Sequence, residues 1–110
     1  MQPEETEDAY YEGGMFFKPG YGATEWEALK IRLPFGTPIT GKVVHQVPYG
    51  VYIDAGLRFP VLAEIPSFGF PGIRFPEDYP PLQSIVSGQL GVFDESNRQI
   101  RLLDTSVSIA

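Results

Sequence analysis

The chain has 110 residues, of which 43% are hydrophobic and 14% aromatic; this excludes a disordered polar chain and allows one domain with one modest core. It has no cysteine, which excludes disulfides, thiolate nucleophiles and cysteine-zinc sites. The net charge of −6 is uneven, because residues 1–12 hold five acids and no base; the nearly neutral remainder offers no broad field for phosphates, so any nucleic-acid site has to be local.

Residues 1–12, MQPEETEDAYYE, read as a flexible acidic leader with little apolar surface to bury. They lack the basic start and apolar run of a signal peptide, and no stretch approaches the ~18 apolar residues of a membrane span, so a soluble cytoplasmic protein is expected. Residues 13–35 form an N-terminal extension. Its first part, with Met15, Phe16, Phe17 and Tyr21 among glycines, is expected to be irregular but partly docked. Its second part, TEWEALKIRLP, predicts a short helix. Thr24 and Glu27 have capping-box spacing, Trp26, Leu29 and Leu33 recur at helical spacing, and Pro34 ends the run. So short a helix has to lean on the rest of the domain, as a strap.

From there the texture is that of strands. TPITGKVVHQV (37–47) is rich in β-branched residues, YGVYIDAG (49–56) follows after Pro48, and FPVLAEI (59–65) is a short third run. Residues 66–81, punctuated by proline and glycine, predict a long ordered loop. SIVSGQLGVFD (84–94) and RQIRLLD (98–104) are the fourth and fifth strands, joined by a turn at ESN, and residues 105–110 read as a loose tail. Five short strands with glycine bends suit a small closed barrel: an all-β fold with one short N-terminal helix.

Gly41-Lys42-Val43, then Tyr49-Gly50-Val51-Tyr52-Ile53, then Asp94 and Ile100-Arg101-Leu102 follow the pattern of the S1 RNA-binding domain. Over residues 36–104 the chain resembles that OB-fold family, including its stand-alone bacterial members. The resemblance implies a five-stranded OB barrel that binds single-stranded RNA, with bases stacked on Tyr49 and Tyr52. The family's third-strand histidine falls at Glu64 here, and the basic residue before its final isoleucine falls at Gln99. Glu64 puts an anion where phosphates would lie, so binding is expected to be weak.

The residues themselves leave alternatives. Tyr49 and Tyr52 are either a stacking platform, with Gly50 letting the backbone turn so that both rings reach one side, or the outer cover of a barrel wall. Lys42, Arg101 and Arg58 are candidate phosphate contacts. His45, the single histidine, shares strand parity with Val43 and reads as a structural residue at a partly buried or edge position; no second histidine or cysteine completes a zinc site. There is no nucleophile elbow, P-loop or dinucleotide fingerprint, so neither catalysis nor a cofactor or metal is expected. The 66–81 loop carries Phe68, Phe70, Ile73, Phe75 and Tyr79. They either fold back over the barrel mouth as a plug or form a docking surface for a protein partner, which would make the chain a protein-interaction module of the same fold that has lost RNA binding.

Overall fold

The computed structural model describes residues 22–69 and 72–108. The leader at 1–12, the expected docking of Met15, Phe16, Phe17 and Tyr21, and the part assigned to Phe70 lie outside the described residues.

The first element among the described residues is helix α1, Ala23–Arg32. Its cap differs from the sequence expectation. Gly22 is the N-cap at φ 68°, with no side-chain cap bond, and its carbonyl accepts the first helical bond from the Trp26 amide at 2.7 Å. Thr24 therefore lies one residue inside the helix and makes no capping box. A side chain at residue 22 would meet the Phe59 ring about 3.1 Å away, so glycine serves both the left-handed turn and the close approach. The inward face is as the spacing predicts: Trp26 and Leu29 are buried in the core and Leu33 packs against it. Lys30 and Arg32 in the last turn suit the negative end of the helix dipole.

Five strands follow: β1 (Pro38–Val47), β2 (Gly50–Asp54), β3 (Val61–Glu64), β4 (Ile85–Asp94) and β5 (Gln99–Ser108). They close into a barrel in the order β1-β2-β3-β5-β4. All neighbours are antiparallel except β3 and β5, which run parallel with Val61 opposite Ile100 and Leu62 opposite Arg101. Alternate side chains face inward, so Val43, Val51, Ile53, Val61, Ile100 and Leu102 share one core. The expected loose tail is corrected: β5 continues through Ser108, pairing Ser106 and Val107 with Ser87 and Val86 of β4. Asp104, at φ 52°, sits where that register shifts, and the strand resumes beyond it.

Helix α1 is strapped across the barrel. The Trp26 ring lies 5.1 Å from Phe59 and 5.5 Å, edge-on, from Phe93. Its Nε1 donates to Glu95 Oε1 at 2.8 Å, and Lys30 Nζ donates to Glu95 Oε2 at 2.8 Å. The β3–β4 connection begins with a 3-10 turn, Ile65–Phe68, and folds back as a plug in part. Phe68, Ile73 and Tyr79 pack on the core, and the Tyr79 hydroxyl donates to the Val47 carbonyl at 2.6 Å. Phe75 sits edge-on against Tyr79 and stays 43% exposed. No helix among the described residues is long and apolar enough to cross a membrane.

Candidate functional site

The outward wall of β1, β2, β3 and β5 gathers most of the residues singled out in the sequence. Because Val51 and Ile53 point inward, Tyr52 and Asp54 point out; by the same alternation Leu62 and Glu64 point out from β3, and Gln99 and Arg101 from β5. Tyr49 occupies the two-residue turn between Val47 and Gly50, which pair across the hairpin.

The two tyrosines meet, but not as a flat double platform. Their rings are 6.4 Å apart and nearly perpendicular at 84°, and their hydroxyls are 3.2 Å apart. Tyr49 is 46% exposed, whereas Tyr52 is only 2% exposed. Tyr52 packs on Leu62, Val44 and Val47 and donates to Gln99 Oε1 at 3.5 Å. The expectation that both rings would be offered to bases is corrected: one ring is open and the other braces it. Burial first, then the Tyr49 hydroxyl, push the Tyr52 phenol well above its ordinary range. Gly50 has a different task from the one expected. Its Cα–H lies directly against β3, so an added Cβ would overlap the Ala63 carbonyl oxygen and fall 2.8 Å from Glu64 Cα. The glycine sets the β2–β3 spacing beneath the tyrosines.

Arg101 is already engaged. Its Nη2 donates to Asp94 Oδ2 at 3.0 Å and its Nη1 lies 4.0 Å from Glu64 Oε1, while its Nε is buried with no hydrogen-bond partner. At Asp94, burial works against the charged form, but donors from Asn97 and Arg101 outweigh it and hold the carboxyl below its usual range. Glu64 stands beside the open tyrosine, since it pairs with Gly50 across β2 and β3. Lys42 is exposed on the same wall, opposite Asp54. Arg58 is exposed in the β2–β3 connection, at φ 66°.

His45 does not keep the strand parity with Val43 that the sequence suggests. A bulge shifts the β1 register between Val43 and His45, so the expected parity breaks. Val44 is the extra residue, and His45 emerges exposed on the outer wall, opposite Tyr52. The sequence Val43-Val44-His45 gives no sign of it, because β-branched residues fit either register. The wall thus carries Lys42, His45 and Arg101 against Asp54, Glu64 and Asp94, with the open Tyr49 ring at the turn end of the β1–β2 hairpin and the Lys42–Asp54 pair at its other end. Among the described residues, no group of three or more His, Cys, Asp or Glu is placed to hold a metal ion.

This strand order, with β3 and β5 as the parallel pair, makes the protein a five-stranded OB-type barrel with a short N-terminal helix. Comparison with protein-family models and with curated protein sequences gives no match.

Proposed function

We propose that the protein is a non-catalytic binder of single-stranded RNA, with its site on the outer wall around Tyr49. The observation that carries this reading is the grouping of a half-exposed Tyr49 ring with His45, Lys42 and Arg101 on one wall of an OB-type barrel. The S1-like run from Tyr49 to Ile53 supports it. One base stacks on Tyr49, a contact worth about 1–3 kcal/mol and tolerant of sequence. Tyr52 holds that ring in place from below. The three carboxylates on the wall keep phosphate attraction low, so affinity is weak and its salt dependence shallow, about −0.7 per phosphate neutralised.

A second reading is a protein-interaction module of the same fold that no longer binds RNA. The engagement of Arg101 by Asp94, with Glu64 nearby, favours it. In that case Phe75 and Leu82, 43% and 55% exposed in the β3–β4 connection, are the contact.

Titrating a fluorescent oligo-pyrimidine at low salt against the wild type, Tyr49→Ala and Glu64→Gln separates the two. RNA binding predicts that alanine weakens affinity by about 1–3 kcal/mol and that glutamine strengthens it. No binding by the wild type or by Glu64→Gln rejects the RNA reading in favour of the second.

A further inference from the structure

Among the described residues, the side of α1 turned away from the barrel is unpartnered, and its residues follow a self-complementary order. Ile31 is 84% exposed, more than any other large hydrophobic residue among those described. With 3.6 residues per turn, Thr24, Ala28 and Ile31 fall on one line opposite Trp26, Leu29 and Leu33, and all three are exposed. Thr24 and Ala28 are small, so this line is a shallow groove with one ridge at Ile31. Glu25 and Arg32 are seven residues apart, about two turns, and share one flank of the line. Neither makes an ion pair with another described residue, whereas Glu27 and Lys30 on the other flank are engaged with each other and Lys30 with Glu95.

We infer that α1 is the contact between two copies of this chain, packed antiparallel about a two-fold axis passing near Ala28. The charge order selects the orientation. A parallel two-fold pair would set this flank against the opposite one, with Glu25 beside Glu27 and Arg32 beside Lys30, like charges together. In an antiparallel two-fold pair, like flanks meet with their ends exchanged, so Glu25 of each copy faces Arg32 of the other twice over. The same operation seats Ile31 of each copy between Thr24 and Ala28 of the other, a ridge in a groove. A ten-residue helix spans only about 15 Å, so the interface is at the small end of specific contacts and the dimer is weak and concentration-dependent. The inference does not rest on the RNA reading, since α1 and the Tyr49 wall share no residue.

Sedimentation equilibrium of the full chain, from about 10 μM to about 1 mM, tests it. The wild type is expected to move from monomer to dimer across this range. Ile31→Glu, at a position that folding does not bury, should weaken the dimer at least about tenfold while the far-UV circular dichroism stays unchanged. Glu25→Arg and Arg32→Glu should each weaken it about three- to tenfold, and the two together should restore it. A wild type that stays monomeric at about 1 mM overturns the inference. So does a dimer indifferent to Ile31→Glu, or one that the paired charge exchange fails to rescue.

Discussion

Removing the Trp26 indole tests how the helix is fastened. The side chain is 2% exposed, and an indole of this kind takes roughly 150–250 Å² out of water. At ~25 cal/mol per Å² that is about 4–6 kcal/mol, an upper bound because unfolded chains already bury part of such surface. Core tryptophan-to-alanine changes cost about 3–5 kcal/mol. The ring contacts to Phe59 and Phe93 and the bond to Glu95 place Trp26→Ala in that range, at about 4 kcal/mol. A chain of this size has roughly 5–15 kcal/mol in all, so the variant would sit close to its unfolding transition at room temperature. Trp26→Phe is the milder test: it removes the Nε1–H and part of the bicyclic ring but keeps an aromatic ring in the site, so it should cost less than alanine, about 1–3 kcal/mol, while Lys30 still holds Glu95. Since Trp26 is the single tryptophan, urea melts should be followed by far-UV circular dichroism rather than indole fluorescence. A loss below about 1 kcal/mol in Trp26→Ala would refute the strap.

Gly50→Ala should destabilise by about 1–3 kcal/mol, because the new Cβ meets the backbone of β3 rather than a movable side chain; thermal melts should fall by about 4–8 °C per kcal/mol, and an unchanged midpoint would show that β3 can withdraw freely. The raised Tyr52 pKa means that the folded state keeps a proton the unfolded chain releases. Its contribution is therefore complete below the ordinary tyrosine value of about 10 and is lost as pH rises above it. Stability measured through alkaline pH should decline more steeply in the wild type than in Tyr52→Phe, and parallel curves would contradict the burial of this phenol.

Much of the fold was legible because local signals and tertiary demands agreed. β-branched runs, the glycine and proline breaks and the Trp26–Leu29–Leu33 spacing all led to elements that exist. The misreadings came from places where a distant partner decides. Thr24-x-x-Glu27 is a good capping pattern, but Gly22 fits against Phe59 and takes the cap. Tyr52 looks like a surface aromatic until Leu62 and Gln99, from two other strands, close over it. Arg101 reads as a phosphate contact, and its engagement depends on carboxylates from β3 and the end of β4. The bulge at Val44 and the restart of β5 after Asp104 are register events, and a run of strand-forming residues carries no record of its own register.

If the proposed site at Tyr49 binds a base, its tight turn has a consequence for the entropy and rate of that event. The Tyr49 carbonyl accepts from the Ile65 amide at 3.0 Å, the preceding Val47 carbonyl accepts from Tyr79, and the Tyr49 hydroxyl is linked to Tyr52. The backbone of the turn is thus held at two points, and the ring at its hydroxyl, before anything arrives. A ligand stacking on it avoids the roughly 0.5–1.5 kcal/mol that immobilising a loose side chain would cost. The same restraint removes the means to adapt: a poorly matched ligand meets a surface that does not reshape around it. Discrimination at this turn then resides in how soon a visitor leaves, rather than in how often one lands.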